Sequence, residues 1–435
     1  MTAAIDTHRD FALSLDRADE LGPFRNRFNF PQSRHGLSPV YLCGHSLGLQ
    51  PKEAVRYVQE ELDDWARLGV EGHFHARRPW LPYHRFATAG LCELTGAATD
   101  EVVAMNTLTV NLHLLMTSFY RPVASRYKIL IESTAFPSDR FAAESQIRLR
   151  GFDPAEALLE WGPRAADQTL HVDDLQRILD DSGEQIALVL LPGVQYYNGQ
   201  LLDMDDLCAR SRAKGCRVGL DLAHAVGNVP LALHEWAPDF AAWCSYKYLN
   251  GGPGAVAGAF VHARHLDGNA STQLLGWWGH AEETRFRMAA TFDPARGAEL
   301  WQLSNPPILS LAPVLASLDV FHEAGIDRLR QKSLRLTAYL AQLLEQRLQD
   351  RVTTITPLDA RGSQLSLCVT DPGLAPRDVF RRLEQQDVFA DWREPNVIRV
   401  ATAPLYNSFA DVFDFVERLA AAVEKRRPAG RRSTI

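Results

Sequence analysis

Sulfur is sparse in this chain. The six cysteines, Cys43, Cys92, Cys208, Cys216, Cys244 and Cys368, are scattered over 435 residues with no CxxC pair and no Cys–His spacing of the zinc type. That pattern excludes a disulfide scaffold and predicts reduced, mostly buried thiols in a cytoplasmic protein, with no metal. Long apolar runs are also missing. The longest candidate, Ile186 to Leu191, has the length of a buried strand and falls far short of the ~18 residues a membrane span needs. The opening segment MTAAIDTHRDFALSLDRADELG is charged throughout and has no apolar stretch of the kind a secretory leader carries. Excess basic charge is absent too: the net charge is −7, and the only concentrated basic stretch is Lys425 to Arg432, interrupted by Pro428 and Gly430. Nucleic acid is thereby disfavoured as a partner, and the tail is expected to be a solvated, frayed end. No repeat or low-complexity tract interrupts the chain. Its 46% hydrophobic and 23% charged residues make an ordinary globular balance, with length enough for two lobes.

The apolar pattern organises those lobes. After Pro51, Val55, Val58, Leu62, Trp65 and Leu68 recur at helical spacing up to Gly69. From about residue 100, short apolar runs (EVVAM, YKILIES, ALLEW, IALVLLPG, CRVGLDL, FAAWCSY and AVAGAFV) alternate with helical stretches such as VNLHLLMTSFY, SDRFAAESQIRL and DDLCARSRAKG. Continuous apolar strands separated by helices predict an α/β fold with a mostly parallel central sheet covered on both faces. Beyond Pro306 and Pro307 a long helix carrying Leu329, Leu336, Leu340, Leu343 and Leu348 leads to shorter strands, SQLSLCV and VIRVA, and a final helix from Asp411. The expected organisation is an N-terminal segment (1–50), a large lobe (51–305) and a smaller C-terminal α+β domain (306–435) ending in the basic tail.

Ligands of open parallel sheets bind at the carboxyl ends of the strands, and polar residues at those ends are the candidates for chemistry. Asp221 closes the run VGLD, and Lys247 follows the run FAAWCSY. Either alone is commonly a solvated or salt-bridged group. Together they meet a specific need: a lysine amine forms a Schiff base with an aldehyde cofactor, and a carboxylate keeps a pyridine nitrogen protonated so that the ring accepts electrons. In MNTLTVNLH a strand gives way to a helix at Leu108 and Thr109, where free N–H groups and a hydroxyl suit a phosphate, although a threonine there also serves as a simple cap. Phe136, in ESTAFPSDRF, stands where an aromatic ring can stack on a pyridine or fill a core. The run GGPGAVAG fails as a dinucleotide fingerprint, because a strand-like segment follows it and no acidic residue lies ~20 positions on; it reads as a turn.

These segments resemble the kynureninase family of fold-type I pyridoxal phosphate (PLP) enzymes. LDLAHAVGNV with FAAWCSYKYLNGGPGAVAGAFVH carries the likeness most strongly. YLCGHSLGLQP, MNTLTVNLHLLM, AFPSDRFAAESQ, LLGWWGH, SNPPI and IRVATAPLYNSF extend it over about residues 20 to 425. The resemblance implies a PLP-dependent hydrolase that splits kynurenine or 3-hydroxykynurenine into an anthranilate and alanine, in tryptophan breakdown or NAD synthesis. It makes Lys247 the Schiff-base lysine, Asp221 the partner of the pyridine nitrogen and Tyr246 a general acid. Leu108, Thr109, Phe136, Ser138, Asp139, His224, Tyr246, Trp277 and Asn305 would surround the cofactor, Trp277 and Asn305 reaching it from the second subunit of a homodimer. Arg399 would clamp the substrate carboxylate, and His73 and Asn305 would sense its aromatic ring. GHSLGLQP, SYKYLNGG and SNPPI look closer to the animal members, which favour 3-hydroxykynurenine, than to the shorter bacterial forms. Two positions depart from the family's pattern: His45 stands where an asparagine is usual, and Pro192 where a related sequence has serine. The rival within the fold, a cysteine desulfurase, needs a loop cysteine and a histidine before the lysine. Here Tyr246 precedes Lys247, and Cys368 lies in an apolar run.

Overall fold

The computed structural model describes residues 8–266 and 273–424; the basic tail lies outside them. The seven apolar runs form seven strands: β1 (Val102–Ala104), β2 (Lys128–Glu132), β3 (Leu158–Trp161), β4 (Ile186–Pro192), β5 (Arg217–Asp221), β6 (Phe240–Trp243) and β7 (Gly258–Val261). They make one sheet in the order β1-β7-β6-β5-β4-β2-β3. The pairs β2–β3, β2–β4, β4–β5 and β5–β6 are parallel, whereas β7 runs antiparallel to β6 and β1. Strand β4 is buried from Ile186 through Leu191, as a strand covered on both faces must be.

The smaller sheet holds β8 (Val352–Thr354), β9 (Gln364–Val369), β10 (Asp391–Arg393) and β11 (Val397–Ala401) in the antiparallel order β8-β9-β11-β10. The long helix Ile326–Leu348 buries Leu336, Leu340, Leu343 and Leu348 in a core with Leu365, Leu367, Ile398 and Val400. The last helix, Phe409–Val423, closes that core and starts at a capping box made by Ser408 and Asp411, which satisfies two otherwise orphaned backbone donors.

Three features differ from a reading of periodicity alone. Helix Ile308–Ala324, expected with the second lobe, buries Leu311, Ala312, Val314 and Phe321 in the core of the large sheet. The first residues serve both cores: Ala12 and Val40 pack in the small one, Leu21, Phe28 and Leu49 in the large one. Helix α1 (Glu53–Leu68) turns Val55, Leu62 and Trp65 outward, with Val55 and Trp65 each 60% exposed, while Glu61 and Asp64 are buried. Glu61 accepts hydrogen bonds from Arg78, Trp80 and Tyr83, so its burial is satisfied. Part of the apolar stripe of α1 is therefore surface, while Val58 packs against the core of the large sheet.

Among the described residues no single helix is long and apolar enough to cross a membrane. All six cysteines are free thiols. One glycine of the N-terminal segment positions the site directly: a Cβ on Gly48 would lie 2.4 Å from the Lys247 carbonyl oxygen, and the Gly48 N–H donates to the Tyr246 carbonyl at 2.9 Å. Only glycine lets the GHSLG loop seat itself on the lysine loop at that distance.

Candidate active site

The carboxyl ends of β2, β4 and β5 and the loop after β6 open on one cavity, lined by Leu108, Thr109, Phe136, Ser138, Asp139, Asp221, His224, Tyr246 and Lys247. Nine residues singled out from the sequence thus meet in space. Asp221 is the last residue of β5, and its Oδ1 accepts from the Ala223 N–H at 2.7 Å. Lys247 is half-buried, its Nζ 5.9 Å from the centroid of the Phe136 ring and 6.0 Å from that of Tyr246.

One wall is built from two helix starts. Helix α2 (Leu108–Phe119) begins after Thr107 and α3 (Pro137–Leu149) after Phe136, and neither has a side chain capping its first N–H groups. The Thr109 and Ser138 hydroxyls, each on the first turn of its helix, lie 2.8 Å apart. Two uncapped helix N-termini with paired hydroxyls between them form an anion cradle, since partial positive charge and free donors converge there. A phosphate fits this wall.

The carboxyl groups of the cavity sort by environment. Burial raises the Asp139 carboxyl well above the usual range, reinforced by the charge of Asp221 and a hydrogen bond to it. Burial likewise lifts Glu132 to about 8, against a Gln195 hydrogen bond that lowers it. Both are protonated near neutrality. Burial also holds His224 well below the ordinary histidine range, helped by the positive charges of Lys247 and Arg399, so its ring is neutral. The Tyr246 hydroxyl is pushed up by burial and by the neighbouring Cys244 thiol, and stays protonated.

Arg399, in β11, does not line the cavity. It is buried behind Tyr196, with Nη1 donating to the Tyr196 carbonyl at 2.6 Å and Nη2 to Asp391 Oδ2 at 2.5 Å. The Tyr196 ring in turn stands edge-on to Phe136, centroids 5.3 Å apart. His73, Trp277 and Asn305 are not brought to the cavity of their own chain. The His73 ring packs edge-on to Trp80 at 5.5 Å, the Trp277 indole N–H donates to the Arg285 carbonyl at 3.2 Å, and Asn305 is exposed.

Sequence reasoning missed Glu132 and Tyr196. Glu132 closes the apolar run KILIE as Asp221 closes VGLD, so the same rule applied to β2 finds it. Tyr196 carries no local signal. It is delivered by a turn that Gln195 holds, its Oε1 accepting from the Tyr197 and Asn198 N–H groups. Pro192, noted as a departure, lines the cavity beside Asp221, its register partner in β5. Cys368 lies within β9, not on a loop at the cavity.

Comparison with known proteins adds the following. The family described as kynureninase C-terminal domain matches residues 329–419. The kynureninase of Koribacter versatilis is 50% identical over 421 residues, 96% of this chain and 99% of that protein. The kynureninase of Stenotrophomonas maltophilia is 53% identical over 416 residues, covering 95% and 98%, and that of Myxococcus xanthus 51% over 411, covering 94% and 96%. Among solved structures, a mutant of C-DES with glycine covalently linked to the PLP cofactor superposes with a TM-score of 0.74 at 18% identity, over 90% of this chain and 99% of that one. The cysteine desulfurase CsdA of Escherichia coli gives 0.74 at 17%, over 93% and 98%. These structural likenesses speak for the fold.

Proposed function

The chain belongs to the kynureninase family, and from that premise we propose that it uses PLP to cleave the Cβ–Cγ bond of L-kynurenine or 3-hydroxy-L-kynurenine by hydrolysis, giving L-alanine and the corresponding anthranilate. The observation that carries the reading is the cavity shared by Asp221, Lys247 and the two uncapped helix starts. Purified protein supplied with PLP is expected to release alanine and an anthranilate from at least one of the two kynurenines. Failure to form both products from either substrate would sink the assignment. A place in tryptophan breakdown or NAD synthesis, in the cytoplasm, accords with that chemistry and with the free thiols.

When bound, PLP supplies an electron sink for the carbanion formed at the substrate's α-carbon. The chain's own groups do the rest. Lys247 would hold the cofactor covalently and remove the substrate's α-proton. Asp221 would keep the pyridine nitrogen protonated. The first turns of α2 and α3, with Leu108, Thr109 and Ser138, would bind the phosphate, and Phe136, Asp139 and His224 would hold the ring. Tyr246, kept protonated by burial, donates to the substrate carbonyl oxygen as water adds to that carbon.

Arg399 binds the substrate's α-carboxylate, a planar fork meeting a planar anion. Arg399→Lys should raise KM for L-kynurenine by about 10- to 100-fold, the effect of replacing a two-pronged contact by a point charge, while the absorbance of the bound cofactor stays that of the parent. An unaltered KM would remove Arg399 from the substrate site.

A homodimer completes the site in this reading. Trp277 and Asn305, exposed in their own chain, reach the phosphate of the partner subunit, and Asn305 with His73 meets the substrate ring. The outward stripe of Val55, Leu62 and Trp65 supplies apolar surface for the association. Mixing inactive Lys247→Ala with inactive Asn305→Ala under subunit exchange should restore about one quarter of parent activity, because half the dimers are then hybrids with one intact site of two. Activity that stays at the level of the separate variants would mean that each chain builds its site alone.

A further inference from the structure

His45 is the histidine that replaces the family's usual asparagine, and the reaction outlined above gives it no task. It is fully buried, and neither ring nitrogen has a hydrogen-bond partner. Two orphaned nitrogens on one buried ring are a standing cost to the free protein, so a change of state that satisfies one of them is favoured.

The surroundings identify that change. His45 Nε2 lies 3.8 Å from Asp391 Oδ2, just beyond a hydrogen bond. The same oxygen accepts from Arg399 Nη2 at 2.5 Å, from Arg393 Nη2 at 3.1 Å and from the Ser46 hydroxyl. Arg399 Nη1 is engaged by the Tyr196 carbonyl, and its buried Nε has no partner. A guanidinium offers a carboxylate two bidentate edges, Nε with Nη2 and Nη1 with Nη2, and both include Nη2. A substrate carboxylate gripping Arg399 in this way shares Nη2, which has two N–H groups, with Asp391, and it brings a second negative charge beside that residue. Two unpaired side-chain donors stand ready to receive Asp391, the Arg393 Nε and, from the opposite element, the imidazole of His45. Burial, with the positive charges of Arg399, Lys247 and Arg393 nearby, keeps that ring neutral; the His224 ring on its other side, 6.2 Å away, is neutral as well. The ring therefore carries one N–H to donate.

We propose that His45 is a positioning residue for substrate binding: when the substrate's carboxylate joins Asp391 on Arg399, the added negative charge turns Asp391 toward the Nε2–H of His45. The hydrogen bond missing in the free enzyme is made in the complex, so the imidazole strengthens binding of carboxylate-bearing ligands and has no contact with the reacting atoms. The proposal rests on Arg399 being the carboxylate clamp.

The test uses the PLP-loaded enzyme with His45→Phe, which keeps the ring and removes the donor, and His45→Asn, which restores one. His45→Phe should raise KM for L-kynurenine and Kd for L-alanine, read from the cofactor's absorbance, by about tenfold or more. Its kcat should stay within about threefold, and Kd for kynuramine, the same amine without the carboxylate, should not change. His45→Asn should return KM to within about threefold of the parent. Unchanged KM, or equal weakening of kynurenine and kynuramine, overturns the proposal. Arg399→Lys, run in parallel, separates the two ideas: if it weakens carboxylate binding and His45→Phe does not, only the role of His45 falls. If His45→Phe weakens binding and Arg399→Lys does not, the clamp is elsewhere and the proposal falls with it. Should His45→Phe fail to fold, proton NMR of the parent decides. Saturation with L-alanine should bring out a downfield imidazole N–H resonance that His45→Asn lacks, and no new resonance overturns the proposal.

Discussion

Borohydride reduction of the PLP-loaded enzyme, followed by peptide mapping, is expected to find the pyridoxyl group on Lys247 and on no other lysine. Replacing Lys247 by alanine should reduce kcat/KM by at least about 10²–10⁴-fold, the contribution of a positioned acid–base group, before the loss of covalent attachment is counted. The expectation follows from geometry and local chemistry. Lys247 stands on the loop after β6, facing a cavity that also holds Asp221 and the two helix starts, and the Gly48 contact holds its backbone in place. A label on a different lysine, or a Lys247→Ala variant with near-parent turnover, removes the central assignment.

Asp221→Asn is expected to have the second largest effect. A buried pyridinium that loses its carboxylate partner is an uncompensated charge, which costs about 3–5 kcal/mol, or a loss of roughly 10²-fold or more in turnover. The neighbouring carboxyls cannot take over at neutral pH. Glu132, lifted to about 8, and Asp139, lifted well above the ordinary range, both hold their protons there. Each rise begins with burial, and the charge of Asp221 adds to it, so removing that charge lowers both without undoing the burial. Partial recovery of Asp221→Asn as the pH rises toward about 8, the value for Glu132 with Asp221 present, is therefore the expected pH signature, read from turnover and from the bound cofactor's absorbance. Turnover within tenfold of the parent at saturating PLP would give this carboxylate a different task.

Much of this was legible locally. The seven apolar runs became the seven strands of one sheet because a strand buried on both faces has to be continuously apolar, and that property sits in consecutive residues. Asp221 and Lys247 were readable for the same reason: each ends or follows such a run, and strand ends in a parallel sheet are where ligands lie. The helix starting at Leu108 and the turn after Lys247 were equally local, set by a strand-to-helix change and by glycines. At α1 periodicity gave the helix but not its cover. Its stripe of Val55, Leu62 and Trp65 is a regular amphipathic face, yet a period states only that a face is apolar and not what covers it.

The sequence by itself therefore determined the α/β alternation, the order of the elements and a set of candidate site residues, nine of which share one cavity. Tertiary structure alone decided which of them meet and in what charge state. Arg399 comes within reach of the site because β11 of the small sheet is seated against the turn carrying Tyr196, 203 residues away in the chain. Thr109 and Ser138 face each other because two helices start side by side. The protons on Glu132 and Asp139 and the neutrality of His45 and His224 depend on burial and on charges borne by distant segments. The physical reason is one of range. Hydrophobic periodicity acts over a few residues, whereas desolvation and Coulomb interactions act through space, between groups that only the completed fold brings together.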